Sequence, residues 1–141
     1  MTPETTLRWL PGGSRFVSTD STGHSVVMSK PDEHTGMKPS ELILSALAGC
    51  ASVDVVDILA KKRTPLTSLE VQLSAEQDAD PPWTFRKIYM KFIVKGQGLT
   101  EKNVAQAIEL SEEKYCSVAA TLRGKAEIIT SFVIKEDDPT S

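Results

Sequence analysis

The chain has 141 residues, of which 40% are apolar and 25% charged, and its net charge is −3. This length fits one domain, and the negative charge argues against nucleic acid or an anionic membrane as the main partner. The sequence does not start with a signal-peptide pattern, and serine and aspartate interrupt the apolar run from Leu42 to Leu59. We therefore expect a cytoplasmic protein that does not span a membrane.

The first part of the chain, residues 1–29, is predicted to be an antiparallel β meander. Its short strands are separated by two turn signals, Pro11-Gly-Gly13 and Asp20-Ser-Thr-Gly23. The polar segment 30–37 that follows is predicted to be an exposed loop.

A central helix is predicted over residues 38–63. Pro39 suits the first helical turn, and Glu41 places a negative charge near the helix N-terminus. Basic residues 61–63 and then Pro65 mark the end. Because the segment is apolar almost all round, the helix should be central and buried.

The rest of the chain is predicted to hold a β hairpin over residues 68–95, followed by helices and a final strand over residues 100–134. Thr100 suits the N-cap of a helix that reaches about Glu112. A short helix then carries Cys116 to Leu122, and the acidic end of the chain is expected to be loose. Together these elements predict a single α+β domain over residues 1–141.

Two cysteines, Cys50 and Cys116, are the candidate reactive groups. A thiol reacts as its thiolate, which a helix N-terminus favours, and Cys116 lies at the start of the short helix. Cys50 has small neighbours that suit the approach of a substrate. Asp54, one turn later, would raise the pKa of Cys50 unless a cation offsets it. From the residues alone, two inert buried cysteines remain an alternative.

Other polar groups point less clearly to chemistry. His24 and His34 could in principle bind zinc together with the two cysteines, but the spacing of these residues fits no known zinc site. We therefore expect no metal and no cofactor. Asp54 and Asp57 share a helical face, where a polar patch at a subunit interface or a Lys or Arg partner is a better interpretation than acid–base catalysis. Neither histidine is clearly placed as a base for Cys50, which disfavours a cysteine hydrolase.

Two blocks of sequence around the cysteines resemble the OsmC/Ohr superfamily. The first is Pro39-x-Glu-Leu-x-Leu-x-Ala-Leu-x-Gly-Cys50, continued by Asp54-Val-Val56; the second contains Lys114-Tyr-Cys-Ser-Val118. An Arg8-Trp9 strand and a Thr22-Gly-His24 turn also match. The resemblance covers nearly the whole chain and is strongest to the OsmC-like branch that carries these motifs.

The resemblance implies an α+β homodimer whose two chains interlock, with shared antiparallel sheets around two long central helices. The active site would lie at the dimer interface and reduce organic hydroperoxides. Cys50 would be the peroxidatic cysteine and Cys116 the resolving cysteine. A dithiol or a lipoylated protein would then regenerate the enzyme, in defence against oxidative or osmotic stress.

The resemblance also implies an arginine and a glutamate beside the reactive thiolate. Arg15, after the first glycine turn, is the nearest match for the arginine, and Arg8 on the first strand is an alternative. In the family the glutamate directly follows the helix proline, whereas here Ser40 holds that place and Glu41 comes next. This departure motivates a second hypothesis: a non-catalytic, stress-associated protein that binds a small hydrophobic ligand.

Overall fold

The computed structural model describes residues 2–136. The chain divides into two compact units, Met1–Ile43 and Leu44–Ser141. A single domain over residues 1–141 stays a prediction. The predicted loose acidic end reaches beyond residue 136 and so lies largely outside the described residues.

The first unit contains the predicted meander. Strands β1 (Thr5–Leu10), β2 (Arg15–Asp20) and β3 (Ser25–Ser29) pair antiparallel in the order β1-β2-β3. The segment predicted to be a loop contains a 3-10 turn at Pro31–Glu33. It is tied to the sheet because both carboxylate oxygens of Glu33 accept the backbone N–H of Ser14, at 3.0 and 2.9 Å.

Helix α1 spans Pro39–Lys61 and continues from the first unit into the second, close to its predicted bounds. The predicted burial of this helix is only partial in the single chain. One stripe, formed by Leu47, Ala51, Val55 and Leu59, is buried. Val53 and Val56 on other sides are 63% and 41% exposed, because packing against one sheet covers only one side of a helix.

The length and hydropathy of α1 also meet the requirements of a membrane span. It has 23 residues and a mean hydropathy of 2.0 over its most apolar window. The core helix of a soluble protein can meet the same criteria, and the buried stripe of α1 belongs to the hydrophobic core of the second unit. The predicted absence of a membrane partner stays a prediction.

The second sheet has the order β4-β5-β6, with strands Ser68–Gln77, Phe85–Lys95 and Glu127–Lys135. The predicted hairpin is confirmed: β4 and β5 pair antiparallel, with Val71 opposite Phe92 and Leu73 opposite Met90. Alternate residues of β5, from Ile88 to Val94, are buried. They form the sheet side of the core.

The expectation of purely antiparallel sheets is wrong for β6, which pairs parallel to β5, with Phe92 opposite Phe132. A tight turn can join only antiparallel neighbours, whereas parallel neighbours need a long crossover. Residues 96–126 supply that crossover through two helices.

The crossover helices differ in detail from their prediction. Helix α2 (Glu101–Leu110) starts as predicted, because the hydroxyl of Thr100 accepts the N–H of Asn103 at 3.1 Å. It ends at Leu110, before the predicted Glu112, and Ser111–Tyr115 form a π-helical turn. Helix α3 then spans Ser117–Leu122, and Cys116 is its N-cap.

Candidate functional site

The two cysteines lie together inside the second unit. Cys50 projects from α1 and is half-buried, while Cys116, between the π-helical turn and α3, is only 2% exposed. Both are free thiols, and their side chains are in hydrogen-bonding contact. Their predicted roles as peroxidatic and resolving cysteines, in an active site at a dimer interface, stay predictions.

Local backbone geometry fixes the position of Cys116. Its N–H donates to the carbonyl of Ser111 at 2.8 Å, which closes the π-helical turn. Its sulfur accepts the N–H of Ala119 at 3.4 Å and so caps α3. Cys116 is therefore held by hydrogen bonds on both sides of the break between the two helical segments.

The environment of Cys50 favours its thiolate. Burial raises the pKa of the Cys50 thiol, but several hydrogen bonds outweigh burial and lower the pKa below its ordinary value. The donors are the Cys116 thiol, the backbone N–H groups of Val118 and Ser117, and the Ser117 hydroxyl. These donors are all neutral, so hydrogen bonds rather than a cation carry this lowering.

Cys116 has the opposite character. Burial, together with the hydrogen bond to Cys50, raises the pKa of Cys116 to about 11, although the N–H of Ala119 acts against this rise. The prediction that the start of the short helix favours a Cys116 thiolate is therefore wrong. Burial outweighs the cap. The N–H of Ser117 acts on Cys50, and the N–H of Val118 acts on both thiols. At neutral pH, Cys116 is a protonated donor beside a more acidic thiol.

Asp54 does not act as predicted. We expected it to raise the pKa of Cys50 unless a cation offset it, yet neutral hydrogen-bond donors rather than a cation lower that pKa. The Asp54 carboxylate instead accepts the hydroxyl of Ser111 at 2.9 Å, and the same hydroxyl lies 3.3 Å from the carbonyl of Ala51. The partner of Asp54 is therefore a serine and not the Lys or Arg that was one of two predicted alternatives. The other alternative, a polar patch at a subunit interface, stays a prediction. Asp57 is exposed.

Other predicted site residues lie in the first unit. Arg15 is half-buried at the start of β2, and Glu41 is exposed in the first turn of α1. Their predicted roles beside Cys50 stay predictions. His24 lies in a turn, with its Nδ1 2.8 Å from the hydroxyl of Thr22. Within residues 2–136, no three His, Cys, Asp or Glu side chains are grouped so that they could hold a metal ion.

Replacing Ser117 with alanine should move the pKa of Cys50 upward, because the thiolate loses one donor while the backbone N–H groups remain. The side chain is exposed, so we expect little change in stability. The rate of iodoacetamide alkylation, followed by peptide mapping to Cys50 across pH, measures this shift. Thr121→Val is the matched control, because it also removes a hydroxyl from α3. The Thr121 hydroxyl donates to the backbone carbonyl of Ser117 at 2.7 Å. Identical pH profiles for Ser117→Ala and the parent protein would contradict the assignment.

The sequence and the fold have clear relatives. The sequence model of the OsmC-like protein family matches residues 31–131. The chain belongs to the OsmC-like family. It is 36% identical to Protein YhfA of Escherichia coli over 128 residues, which cover 91% of this chain and 95% of YhfA.

Solved structures of the same fold agree with this family. A hypothetical protein from Aquifex aeolicus is 30% identical and superposes with a TM-score of 0.86, over 98% of this chain and 99% of that one. The organic hydroperoxide resistance protein OhrB of Bacillus subtilis is 19% identical, with a TM-score of 0.64 over 94% and 98% of the two chains. The α+β OsmC-like fold is thus confirmed.

Sequence reasoning missed three features of this site: Ser117 as a donor, Ser111 as the partner of Asp54, and the π-helical turn. The predicted start of the short helix was a usable signal for Ser117, since free N–H groups occur there. Ser111 gave no such signal. Its position continues the apolar spacing of α2, which indicates only an ordinary helical face.

Proposed function

We propose that this OsmC-like protein is a thiol-dependent peroxidase that reduces organic hydroperoxides in defence against oxidative or osmotic stress. The contact between an acidified Cys50 and a protonated, buried Cys116 is the observation that carries this proposal. Family membership adds support, since OhrB, a protein of the same fold, is named for organic hydroperoxide resistance.

In the first step, the Cys50 thiolate attacks the terminal oxygen of the hydroperoxide. The O–O bond breaks as an S–O bond forms, so sulfur loses two electrons and becomes a sulfenic acid. The departing alkoxide takes a proton and leaves as the alcohol. The neutral donors around Cys50 keep its thiol ionised at lower pH than an ordinary cysteine.

In the second step, Cys116 attacks the sulfur of the Cys50 sulfenic acid. An S–S bond forms and the S–O bond breaks, and the hydroxyl leaves as water with the proton that Cys116 loses. An external dithiol, which could be the lipoyl group of a partner protein, then reduces the disulfide by exchange and becomes oxidised itself. In a reducing cytoplasm, both thiols would rest in the free form.

We also propose that the protein is a homodimer, in which a second copy covers the exposed side of α1. Only 22% of the most apolar window of this helix is buried, although the mean hydropathy of that window is 2.0. Val53 and Val56 are large exposed apolar side chains there. Contiguous exposed apolar surface of this kind marks an interaction site, and a second copy presents the same apolar surface.

The rate at which hydroperoxide oxidises the reduced protein should depend on pH through Cys50. Because the pKa of Cys50 is lowered, the rate should rise with pH and reach its plateau below the range of an ordinary cysteine. Stopped-flow mixing with limiting cumene hydroperoxide measures this profile. A rate that keeps rising through the range of an ordinary thiol would count against an activated Cys50. No reaction at any pH would favour the ligand-binding hypothesis.

A further inference from the structure

The geometry points to Ser111, held by Asp54, as the positioning residue that keeps Cys116 in place to close the disulfide. This inference rests on the proposed function and concerns its second step. Ser111 contacts no reacting atom. Where pH keeps Cys50 fully ionised, its effect should therefore fall on the resolution of the sulfenic acid and leave the attack on hydroperoxide nearly unchanged.

Ser111 is hydrogen-bonded to both cysteine-bearing segments, to one through its side chain and to the other through its backbone carbonyl. Its hydroxyl lies 2.9 Å from the Asp54 carboxylate and 3.3 Å from the Ala51 carbonyl, both on α1. Ala51 directly follows Cys50, and Asp54 is one helical turn later. The carbonyl of Ser111 accepts the N–H of Cys116 at 2.8 Å. A continuous path of hydrogen bonds therefore runs from the helix of Cys50 to the backbone of Cys116.

The π-helical turn makes this anchor necessary. In a regular α-helix, the N–H of Cys116 would bond to the carbonyl of Glu112, four residues earlier. Here it bonds to Ser111, five residues earlier, and the side chain of Arg123 donates to the Glu112 carbonyl instead. π-helical turns are uncommon and often lie at functional sites. The hydroxyl of Ser111 holds this turn against the helix of Cys50.

Burial protects the hydrogen bond between Ser111 and α1 from water. Ser111 is 1% exposed, so water cannot easily replace its hydroxyl group, and a charged acceptor strengthens the bond to Asp54. Without that bond, the π-helical turn could shift relative to α1. Cys116 would then lie farther from the sulfur that it must attack, while α1 and Cys50 keep their places.

The position of Cys116 decides between two fates of the sulfenic acid. Attack by Cys116 gives a disulfide and water. A second hydroperoxide instead adds another oxygen to the Cys50 sulfur, which gives a sulfinic acid and the alcohol. Because a misplacement of about 1 Å can slow a reaction by roughly 10²-fold, a displaced Cys116 should send more of the protein to the sulfinic acid.

The test compares Ser111→Ala with the parent protein at a temperature where both are folded by circular dichroism. The rates are measured at a pH above the range of an ordinary cysteine, where Cys50 is a thiolate in both proteins. There we expect Cys50 to react with cumene hydroperoxide within about twofold of the parent rate, and disulfide closure to be slower by about tenfold or more. Dimedone trapping and intact mass follow the sulfenic acid, and excess hydroperoxide reveals the sulfinic acid. Ser111→Thr should restore closure, because it restores the hydroxyl.

Two further variants complete the design. Asp54→Asn keeps an acceptor but removes its charge, so closure should slow less than in Ser111→Ala; it also serves as the second variant if Ser111→Ala does not fold. Ser131→Ala, at an exposed position on β6, is the control for loss of a serine hydroxyl.

The outcomes separate this inference from the proposed function. If Ser111→Ala and Asp54→Asn both close the disulfide at the parent rate, the inference is wrong and the peroxidase stands. If parent Cys50 does not react with hydroperoxide, both fall together. Equal slowing of both steps would identify Ser111 as merely structural and would also overturn the inference.

Discussion

Replacing Cys50 with serine should abolish hydroperoxide reduction, with a loss of at least about 10³-fold in turnover, as expected when a nucleophile is removed. A serine hydroxyl stays protonated at neutral pH and cannot form a sulfenic acid. Consumption of cumene hydroperoxide with dihydrolipoamide as the reductant measures the loss. Cys50→Ser should remain folded, because the change is small and the position is only half-buried.

Cys116→Ser is the matched variant, and its effect should differ in kind. The first step should survive, although removal of the thiol donor should raise the pKa of Cys50 and slow that step at low pH. The sulfenic acid should then persist long enough to be trapped by dimedone. If Cys116→Ser loses the first step while Cys50→Ser retains it, the two roles are reversed.

Val53→Asp should convert the dimer into monomers. The side chain is 63% exposed in the single chain, so aspartate there is solvated in a monomer. In a symmetric dimer the substitution occurs twice, and each uncompensated buried charge costs about 3–5 kcal/mol. We expect the dissociation constant to rise by at least about 10³-fold. Sedimentation velocity across a dilution series measures it.

Lys102→Asp is the control for this prediction, because it introduces the same carboxylate at an exposed position in the first turn of α2. It should leave the dimer unchanged. A monomeric parent protein at micromolar concentration, or a Val53→Asp variant that stays dimeric, would contradict the assignment of this side of α1 to a second copy.

Much of the fold follows from local patterns in the sequence. Pro39 and the basic end at 61–63 bounded α1 well, because caps and breakers act within one or two turns. Alternating apolar residues placed β4 and β5 correctly, because one face of β5 is buried and one face of β4 is half-buried. The same alternation says nothing about strand direction, so the parallel pairing of β6 with β5 was missed.

The chemistry of the site was harder to predict, because it depends on competing contributions from residues far apart in sequence. The cap position of Cys116 suggested a thiolate, but burial outweighed it and raised its pKa to about 11. Asp54 was expected to act on Cys50, but Ser111, 57 residues away, holds its carboxylate. The pairing of the cysteines came from the resemblance to the OsmC/Ohr superfamily, and their contact in the fold agrees with it.

The most direct test of the central claim uses reduced protein and one equivalent of tert-butyl or cumene hydroperoxide. Free thiols are counted and the intact mass is measured within minutes. The peroxidase mechanism predicts rapid loss of both thiols and a decrease in intact mass equal to two hydrogen atoms. Peptide mapping should then identify a disulfide between Cys50 and Cys116. Two thiols that remain reduced would contradict it.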